Sequence, residues 1–251
     1  MAFPSGDTFV QESTSPHLAV VEGEHATREQ GGSTHNFVRE TDDANAVNGS
    51  HIAVTPNSGT VFSAGDPSAP YIEVDIEFSA TGTHYLWLRA IDAGGGSVDD
   101  SFHIRVDSGT WTTQNGLSNG SKDFNNSSSL LWIKDSSVAS PMTVSISSTG
   151  AHTLRFQMRE DGLHIDRILL TTDSTYDPAG VNGGDGPAES STTGGGGAVS
   201  ESLALTATGA PSISEQGSAD ETIQLVAGAT PSVSETASAT ESVQLQATGS
   251  P

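Results

Sequence analysis

Two tryptophans and two asparagines are the residues of this chain whose types best suit ligand binding. Trp111 and Trp132 lie in sequence rich in Ser, Thr, Asn and Gly, where no alternating apolar pattern requires an indole. Asn125 and Asn126 lie between them, and each amide can both donate and accept hydrogen bonds. Flat aromatic faces pack on the C–H faces of sugar rings, and a few polar groups then fix the hydroxyls. We therefore predict that these four residues bind a glycan.

The alternative for either tryptophan is a place in the core, since aromatic side chains bury large apolar areas. Trp132 favours this alternative more than Trp111, because Leu130, Leu131 and Ile133 flank it. The sequence alone leaves both interpretations open.

Catalytic chemistry has no comparable signal in the sequence. There is no cysteine, no Gly-x-Ser-x-Gly elbow, no phosphate-binding loop with lysine and no HExxH motif. The histidines lack the spacing of a zinc site or of a catalytic triad, so we interpret all eight as structural or surface residues. They are His17, His25, His35, His51, His84, His103, His152 and His164. We predict that the chain is not an enzyme.

Charge and composition limit the partners. The 251 residues include 31 acidic and nine basic side chains, for a formal net charge of -22. Such a chain repels the phosphates of nucleic acid and anionic membrane surfaces. No run of 18 apolar residues occurs, so no membrane insertion is expected. The amino terminus lacks the basic and apolar regions of a secretory signal. We expect a protein of a virion surface or of the extracellular space.

Alternating apolar and polar residues indicate strands through most of the first two thirds of the chain. The alternation is clear over residues 71–78, 84–90, 101–107, 143–147 and 153–158, with glycines between the runs. A convincing period of 3.6 residues is absent, so helices should be few. Two further amphipathic runs flank the charged turn at residues 159–162 and suggest a hairpin that closes the fold. We predict an all-β chain with a β-sandwich.

Aromatic and basic residues divide the chain into three parts. Every Trp, Tyr, Phe, Lys and Arg precedes residue 180, so only residues 1–180 can supply a varied core. Residues 181–198 are rich in Gly, Ser and Thr and are predicted to form a flexible linker. Residues 199–251 form the last part.

An internal repeat with a period of 20 residues fills this last part. Glu201, Glu221 and Glu241 occupy equivalent positions, and the leucines and prolines of each copy recur in the same way. Apolar residues alternate within each copy, as in a strand, but one copy is too small to close a core. We predict acidic β-repeats that stack, dock on a partner or form a homo-oligomer such as a trimer. The alternative is a disordered acidic stalk.

Four segments of the first part resemble, in the same order, the carbohydrate-binding modules of families 6 and 35. They are Gly82-Thr-His-Tyr-Leu-Trp-Leu-Arg89, Phe102-His-Ile-Arg-Val-Asp107, Gly150-Ala-His-Thr-Leu154 and Arg159-Glu-Asp-Gly-Leu-His-Ile-Asp-Arg-Ile168. The resemblance covers about residues 9–178. It implies a jelly-roll sandwich of the galactose-binding type that binds a glycan or polysaccharide without catalysis. The repeat tail resembles those of phage or surface fibre proteins.

The same resemblance implies a structural Ca²⁺ site. In those modules an early Glu-x-Glu strand and an aspartate near the last strand hold the ion, and the matching residues here are Glu22, Glu24 and Asp166. Ca²⁺ prefers several carboxylate and carbonyl oxygens at about 2.3–2.6 Å, which suits this set. The alternative is that the two glutamates face water beside Arg28 or Arg167.

Three hypotheses for the function follow. The first is a non-catalytic display protein, such as a virion decoration or fibre component, that carries a glycan-binding sandwich on an oligomeric repeat. The second is a carbohydrate-binding fragment of a secreted polysaccharide-degrading enzyme or adhesin. The third is a structural building block whose loops contact a partner subunit.

Overall fold

The computed structural model describes residues 3–93, 99–118 and 129–193 in full, together with the backbone of four short strands between residues 212 and 245. The described residues form strands with a few single turns of 3₁₀ helix, which confirms the predicted all-β class. The strands of the first part are β1 (Thr8–Val10), β2 (Ala19–Glu22), β3 (Arg28–Gln30), β4 (Asn36–Glu40), β5 (His51–Thr55), β6 (Tyr71–Phe78), β7 (Gly82–Asp92), β8 (Phe102–Val106), β9 (Thr112–Gln114), β10 (Leu131–Ile133), β11 (Thr143–Ile146), β12 (Gly150–Met158), β13 (Leu163–Thr171) and β14 (Thr192–Thr193).

Two sheets of seven strands each make up the sandwich. Sheet I has the order β14-β1-β6-β12-β8-β9, and β3 pairs with β6 beyond the end of β1. Sheet II has the order β10-β7-β13-β5-β4, while β11 extends the edge beside β7 and β2 pairs with β13. All these pairs are antiparallel except β1 with β6. This arrangement confirms the predicted β-sandwich.

The main core fills the space between the sheets because apolar residues alternate along the long strands. In β6 the inward residues are Ile72, Val74, Ile76 and Phe78, and all are buried. The inward residues of β12 lie beside them in sheet I, and those of β7 oppose them from sheet II, all in the same cluster. The intervening residues of each strand face outward and are mostly polar, which is the pattern expected of a two-sheet sandwich.

The segment predicted as a closing hairpin has a different arrangement. Strand β12 pairs with β6 and β8 in sheet I, whereas β13 pairs with β7, β5 and β2 in sheet II. The turn between them therefore crosses from one sheet to the other, and the hairpin prediction is wrong. Asp161 fixes this crossing because its buried carboxylate accepts hydrogen bonds from the backbone N–H groups of Ser58, Gly59 and Thr60.

A second apolar cluster covers part of the outer face of sheet II. It contains Leu18, Val20, Trp87, Trp132 and Leu169, and the segment after β13 packs over it. This covering segment includes the turns Pro178–Gly180 and Asn182–Gly184.

The covering segment also moves the boundary of the sandwich. The sequence predicts a linker over residues 181–198, but part of this segment packs on the sandwich. Glu189 forms an ion pair with His25, and the N–H of Ser190 donates to the carbonyl of Val20. Strand β14 pairs with β1. The chain separates into two compact units, Met1–Gly195 and Gly196–Pro251. The sandwich therefore continues through Thr193, because polar side chains of this segment satisfy backbone groups of sheet II.

The second unit contains the repeat strands β15 (Ser212–Glu215), β16 (Gln224–Leu225), β17 (Ser232–Glu235) and β18 (Gln244–Leu245). Strand β15 pairs with β17 and β16 with β18, both in parallel. Each residue pairs with the equivalent residue of the next copy, such as Ser212 with Ser232. This is the register expected when copies stack within one chain. Docking and homo-oligomerisation through residues 199–251 stay predictions.

Among the residues that the structure describes, no helix is long and apolar enough to cross a membrane.

Candidate functional site

An open cleft of about 580 Å³ lies where β8 and β9 of sheet I adjoin β11 of sheet II. Its lining combines charged groups and hydroxyls with the apolar side chains of Ile104, Val106 and Val144. The polar groups include Arg105, Asp107, Thr143, Ser145, Ser147 and His152. A concave site with several donors and acceptors on a rigid scaffold suits a hydroxyl-rich small molecule or chain.

An ion pair between Asp107 and His152 forms one wall of this cleft. The Nδ1 atom of His152 lies 2.7 Å from Asp107 Oδ2, and the N–H of Thr153 donates to Asp107 Oδ1 at 2.9 Å. The hydrogen bond with Asp107 raises the pKa of His152 above its ordinary value. Burial alone would raise the pKa of Asp107, but the hydrogen bonds from Thr153 and His152 lower it overall. The wall therefore offers a carboxylate and an imidazole side by side.

Arg105 connects the cleft to the predicted ligand residue Trp111. Its guanidinium lies over the Trp111 ring, 4.5 Å from the ring centroid. Both side chains are half-buried. Among the described residues Arg105 makes no salt bridge, and its buried Nε atom has no hydrogen-bond partner. Its cross-strand neighbour Arg155, in contrast, bonds Glu73 at 2.7 Å. An arginine without a carboxylate partner beside a cleft is suited to donate hydrogen bonds to a ligand.

The other predicted ligand residues have different outcomes. Trp132 is only 3% exposed, packs in the second apolar cluster and donates its indole N–H to the carbonyl of Gly184 at 2.9 Å. The prediction that Trp132 binds a ligand is therefore wrong, because β10 turns this indole toward the segment after β13. Asn125 and Asn126 lie outside the described residues.

The sequence analysis missed Arg105, Asp107 and His152 as site residues. They come from β8, the turn after it and β12, which are distant in sequence and adjacent in sheet I. One signal was available, because Asp107 precedes Ser-Gly, a turn sequence, and the structure gives it a φ of 50°. That signal identifies a turn but does not identify a cleft.

The predicted metal ligands Glu22, Glu24 and Asp166 lie together in a buried cluster on the outer side of sheet II. Strand β2 ends at Glu22, and Glu24 belongs to the 3₁₀ turn Gly23–His25. The sequence predicts that both glutamates lie on one strand, but only Glu22 does. The turn forms here because Gly23 packs directly on the carbonyl of Ile165, where a Cβ atom would collide.

Two arginines enter this carboxylate cluster. Arg89 donates to Asp166 Oδ2 at 2.5 Å, and Arg167 donates to Glu22 Oε1. The N–H of Val47 donates to the other oxygen of Asp166 at 2.9 Å. Glu22 does lie beside Arg167, but both glutamates are buried, so the alternative in which they face water is wrong. Among the described residues, Asp166 has partners for both oxygens, whereas each glutamate has partners for only one.

The pKa values of the cluster show how strongly it is desolvated. Burial raises the pKa of Asp166 to about 7, although Arg89 and the Val47 N–H oppose the shift and Glu22 adds to it. Burial also raises the pKa of Glu22, against the opposing effect of Arg167. Each of these carboxylates would be stabilised by additional positive charge.

The residues present fit a Ca²⁺ ion at the two glutamates. In the part of the chain that the structure describes, Glu22 Oε2 and Glu24 Oε2 are buried and accept no hydrogen bond. A buried carboxylate oxygen without a partner is costly, and a hard divalent cation satisfies such oxygens. Glu24 Oε1 accepts a hydrogen bond from Ser50, which orients the carboxylate. Asp166, held by Arg89, fits less well as a direct ligand.

Comparison with known proteins gives one family match. The chain matches the family described as the glycosyl hydrolase family 115 C-terminal domain over residues 14–181, which is about two thirds of its length. It is also 29% identical over 154 residues to an uncharacterized protein, P23, of Formosa agariphila. That match covers 53% of this chain and 35% of the relative, so the chain spans about a third of the length of this curated relative.

Solved structures give weaker likenesses. A family 35 carbohydrate binding module from Clostridium thermocellum is 15% identical, with a TM-score of 0.41, and the match covers 61% of this chain and 96% of that one. An exo-beta-1,3-galactanase from Phanerochaete chrysosporium is 13% identical, with the same TM-score of 0.41. That match covers 61% of this chain and 29% of that one.

Proposed function

Since the chain belongs to the family of glycosyl hydrolase family 115 C-terminal domains, we propose that its sandwich is a non-catalytic module that binds a glycan. The observation that carries this proposal is the polar cleft beside Trp111 and Arg105. Of the hypotheses drawn from the sequence, the family favours the carbohydrate-binding part of an extracellular polysaccharide-degrading enzyme over a virion decoration.

The chemistry of the cleft supports this function. Sugar hydroxyls need both donors and acceptors, and the cleft offers the Arg105 guanidinium, the Asp107 carboxylate and the hydroxyls of β11. Asp107 is about half exposed, so its remaining lone pairs are accessible from solvent. The indole of Trp111 lies beside these groups through its contact with Arg105. Together they combine polar groups for orientation with an aromatic plane for the C–H face of a sugar.

A structural Ca²⁺ ion at Glu22 and Glu24 is the second part of the proposal. Support comes from the two buried glutamate oxygens that have no partner among the described residues. In this role the ion stabilises sheet II and the turn Gly23–His25 and takes no part in catalysis. Glu22 and Glu24 supply the carboxylates, and Asp166, held by Arg89, lies beside them.

Affinity electrophoresis tests glycan binding. The full chain is run in native gels that contain soluble β-glucan, xylan, galactan or mannan, and Arg105→Ala is compared with Arg28→Ala. Both arginines lie on the outer face of sheet I, but Arg28 bonds Glu73 and Asp75 away from the cleft. We expect at least one polysaccharide to retard the native chain and the Arg28 variant, and to retard the Arg105 variant much less. The proposal would be refuted if no polysaccharide retarded the native chain, or if the Arg105 variant were retarded as much as the native chain in every gel.

A further inference from the structure

Three neighbouring strands of sheet II bring two histidines and a glutamate together on its outer face. His51 begins β5, His164 lies on β13, and Glu40 ends β4. Glu40 is the cross-strand partner of His51, and β5 lies between the other two strands. This cluster is separate from the cleft, which lies at the edge formed by β8, β9 and β11.

The atoms of the cluster converge on a single nitrogen. His51 Nε2 lies 3.0 Å from His164 Nδ1, 3.6 Å from Glu40 Oε2 and 3.7 Å from Asp42 Oδ1. The contact with His164 is within hydrogen-bond distance, whereas the two carboxylate oxygens lie just beyond it. A cation placed among the four atoms would satisfy all of them.

The three separations measured from His51 Nε2 are close to those of tetrahedral coordination. Zinc binds imidazole nitrogen and carboxylate oxygen at about 2.0–2.2 Å, so two ligand atoms of a tetrahedral site lie about 3.3 Å apart. The observed separations of 3.0, 3.6 and 3.7 Å lie on both sides of this value. Among the residues that the structure describes, Glu40, His51 and His164 have potential ligand atoms that all lie within 4.8 Å of one another.

Burial and charge prepare the cluster for a cation. His51 is 1% exposed, whereas Asp42 is largely exposed, so an ion could enter from the side of Asp42. Two imidazoles with one or two carboxylates form a donor set suited to zinc and related ions.

We propose that His51, His164 and Glu40 bind a divalent transition-metal ion of the zinc class, with Asp42 as a fourth ligand. The ion links β4, an edge strand of sheet II, to β5 and β13. It also anchors the start of the loop from residue 41 to residue 50. This loop also supplies Val47 to Asp166. The role is structural and does not depend on whether the cleft binds a glycan.

Metal titration of the full chain tests the proposal. The protein is stripped with EDTA and desalted, after which Zn²⁺ binding is followed by calorimetry and Co²⁺ binding by visible absorption. Glu40→Gln is the decisive variant because Glu40 lies at a partly exposed strand end and its loss leaves the core intact. His51→Gln removes the central ligand. Glu12→Gln and His17→Gln, on the exposed loop after β1, are the matched controls.

We expect one Zn²⁺ per chain and a Co²⁺ spectrum of the four-coordinate type that excess Ca²⁺ does not abolish. Glu40→Gln should weaken Zn²⁺ binding by at least about tenfold, since even an outer partner of a ligand often contributes this much. His51→Gln should abolish the Co²⁺ spectrum, and the two controls should match the native chain. Only weak binding of several ions to the acidic surface, or equal affinity in Glu40→Gln and the native chain, would overturn the proposal.

Discussion

The guanidinium of Arg105 lies over the indole ring of Trp111, 4.5 Å from its centroid, at the border of the polar cleft. A cation–π contact at a partly exposed site contributes about 0.5–1 kcal/mol, enough to restrict a flexible side chain but not to define a fold. Trp111 therefore helps to hold Arg105 in place at the cleft. We propose that it also offers an aromatic face to a ligand.

Replacing Trp111 should weaken glycan binding with little effect on stability. We expect Trp111→Ala to reduce affinity for a retarding polysaccharide about tenfold or more, because the aromatic plane and the support for Arg105 are both lost. Trp111→Phe keeps an aromatic face and should retain most of the affinity. Binding is measured by affinity electrophoresis and folding by thermal unfolding. Native-like affinity in the alanine variant would show that the ligand does not contact Trp111 and that Arg105 does not need its support.

Trp132 should respond in the opposite way. Its indole fills the cluster with Trp87 and Leu169, and Gly186 packs against the ring with a φ of 86°. Trp132→Ala should lower the free energy of unfolding by about 3–5 kcal/mol, the usual cost for a buried aromatic residue. Urea denaturation measures the loss. Trp132→Phe keeps most of the apolar volume and loses the hydrogen bond to Gly184, so a smaller loss is expected. An unchanged midpoint in the alanine variant would contradict this assignment.

The sequence predicts the strands well because alternation is a local property. The predicted run 71–78 is β6, and the run 101–107 contains β8. The pairing partners of a strand are not a local property, which is why the sequence wrongly predicts a hairpin around residues 159–162. A register irregularity between Ile165 and Arg167 in β13 lets both Asp166 and Arg167 approach the carboxylate cluster while Ile165 and Ile168 stay in the core. Alternation alone would place Asp166 and Arg167 on opposite faces.

The candidate sites were less predictable than the strands for the same reason. Glu22 and Glu24 were identified through a family resemblance, but the arginines beside them come from β7 and β13. Isolated histidines gave no sign of the pair formed by His51 and His164, which are 113 positions apart. Long-range pairing of strands creates these clusters, and a single sequence contains no direct record of it.

Arg89 and Asp166 should stabilise the folded state only while both are present, because each is buried and needs the other as its partner. Arg89→Met leaves Asp166 desolvated beside Glu22, and we expect a loss of about 3–5 kcal/mol in the free energy of unfolding at pH 8. Asp166→Asn leaves Arg89 with the partly exposed Asp185, at 3.2 Å, and should also destabilise. The double variant should lose less than the sum of the two single losses, which urea denaturation can measure. Additive losses would show that the two groups are not coupled.

Asp161 should make stability depend on acid pH. Burial alone would raise its pKa, but the hydrogen bonds from Ser58 and Thr60, with His35 nearby, lower it overall. A carboxylate with a lowered pKa in the folded state contributes stability that is fully present above its unfolded pKa of about 3.9 and is lost as the pH falls through the folded value. Asp161→Asn should therefore lose stability at pH 7 and show a weaker decline between pH 5 and pH 3. Parallel pH profiles of unfolding for the two proteins would contradict this.

Removal of Ca²⁺ should destabilise the sandwich through the glutamates. An ion that binds only the folded state adds about 2.7 kcal/mol to the free energy of unfolding at 100 times its Kd, so the Tm of the EDTA-treated chain should rise when Ca²⁺ is added. The matched variants are Glu24→Gln, which removes one of the two buried carboxylates, and Glu77→Gln on the exposed side of β6. Only Glu24→Gln should lose the rise in Tm, and it should keep the Co²⁺ spectrum of the histidine cluster. If Ca²⁺ leaves the Tm of the native chain unchanged, the arginines alone neutralise the cluster, and no ion is needed at Glu22 and Glu24.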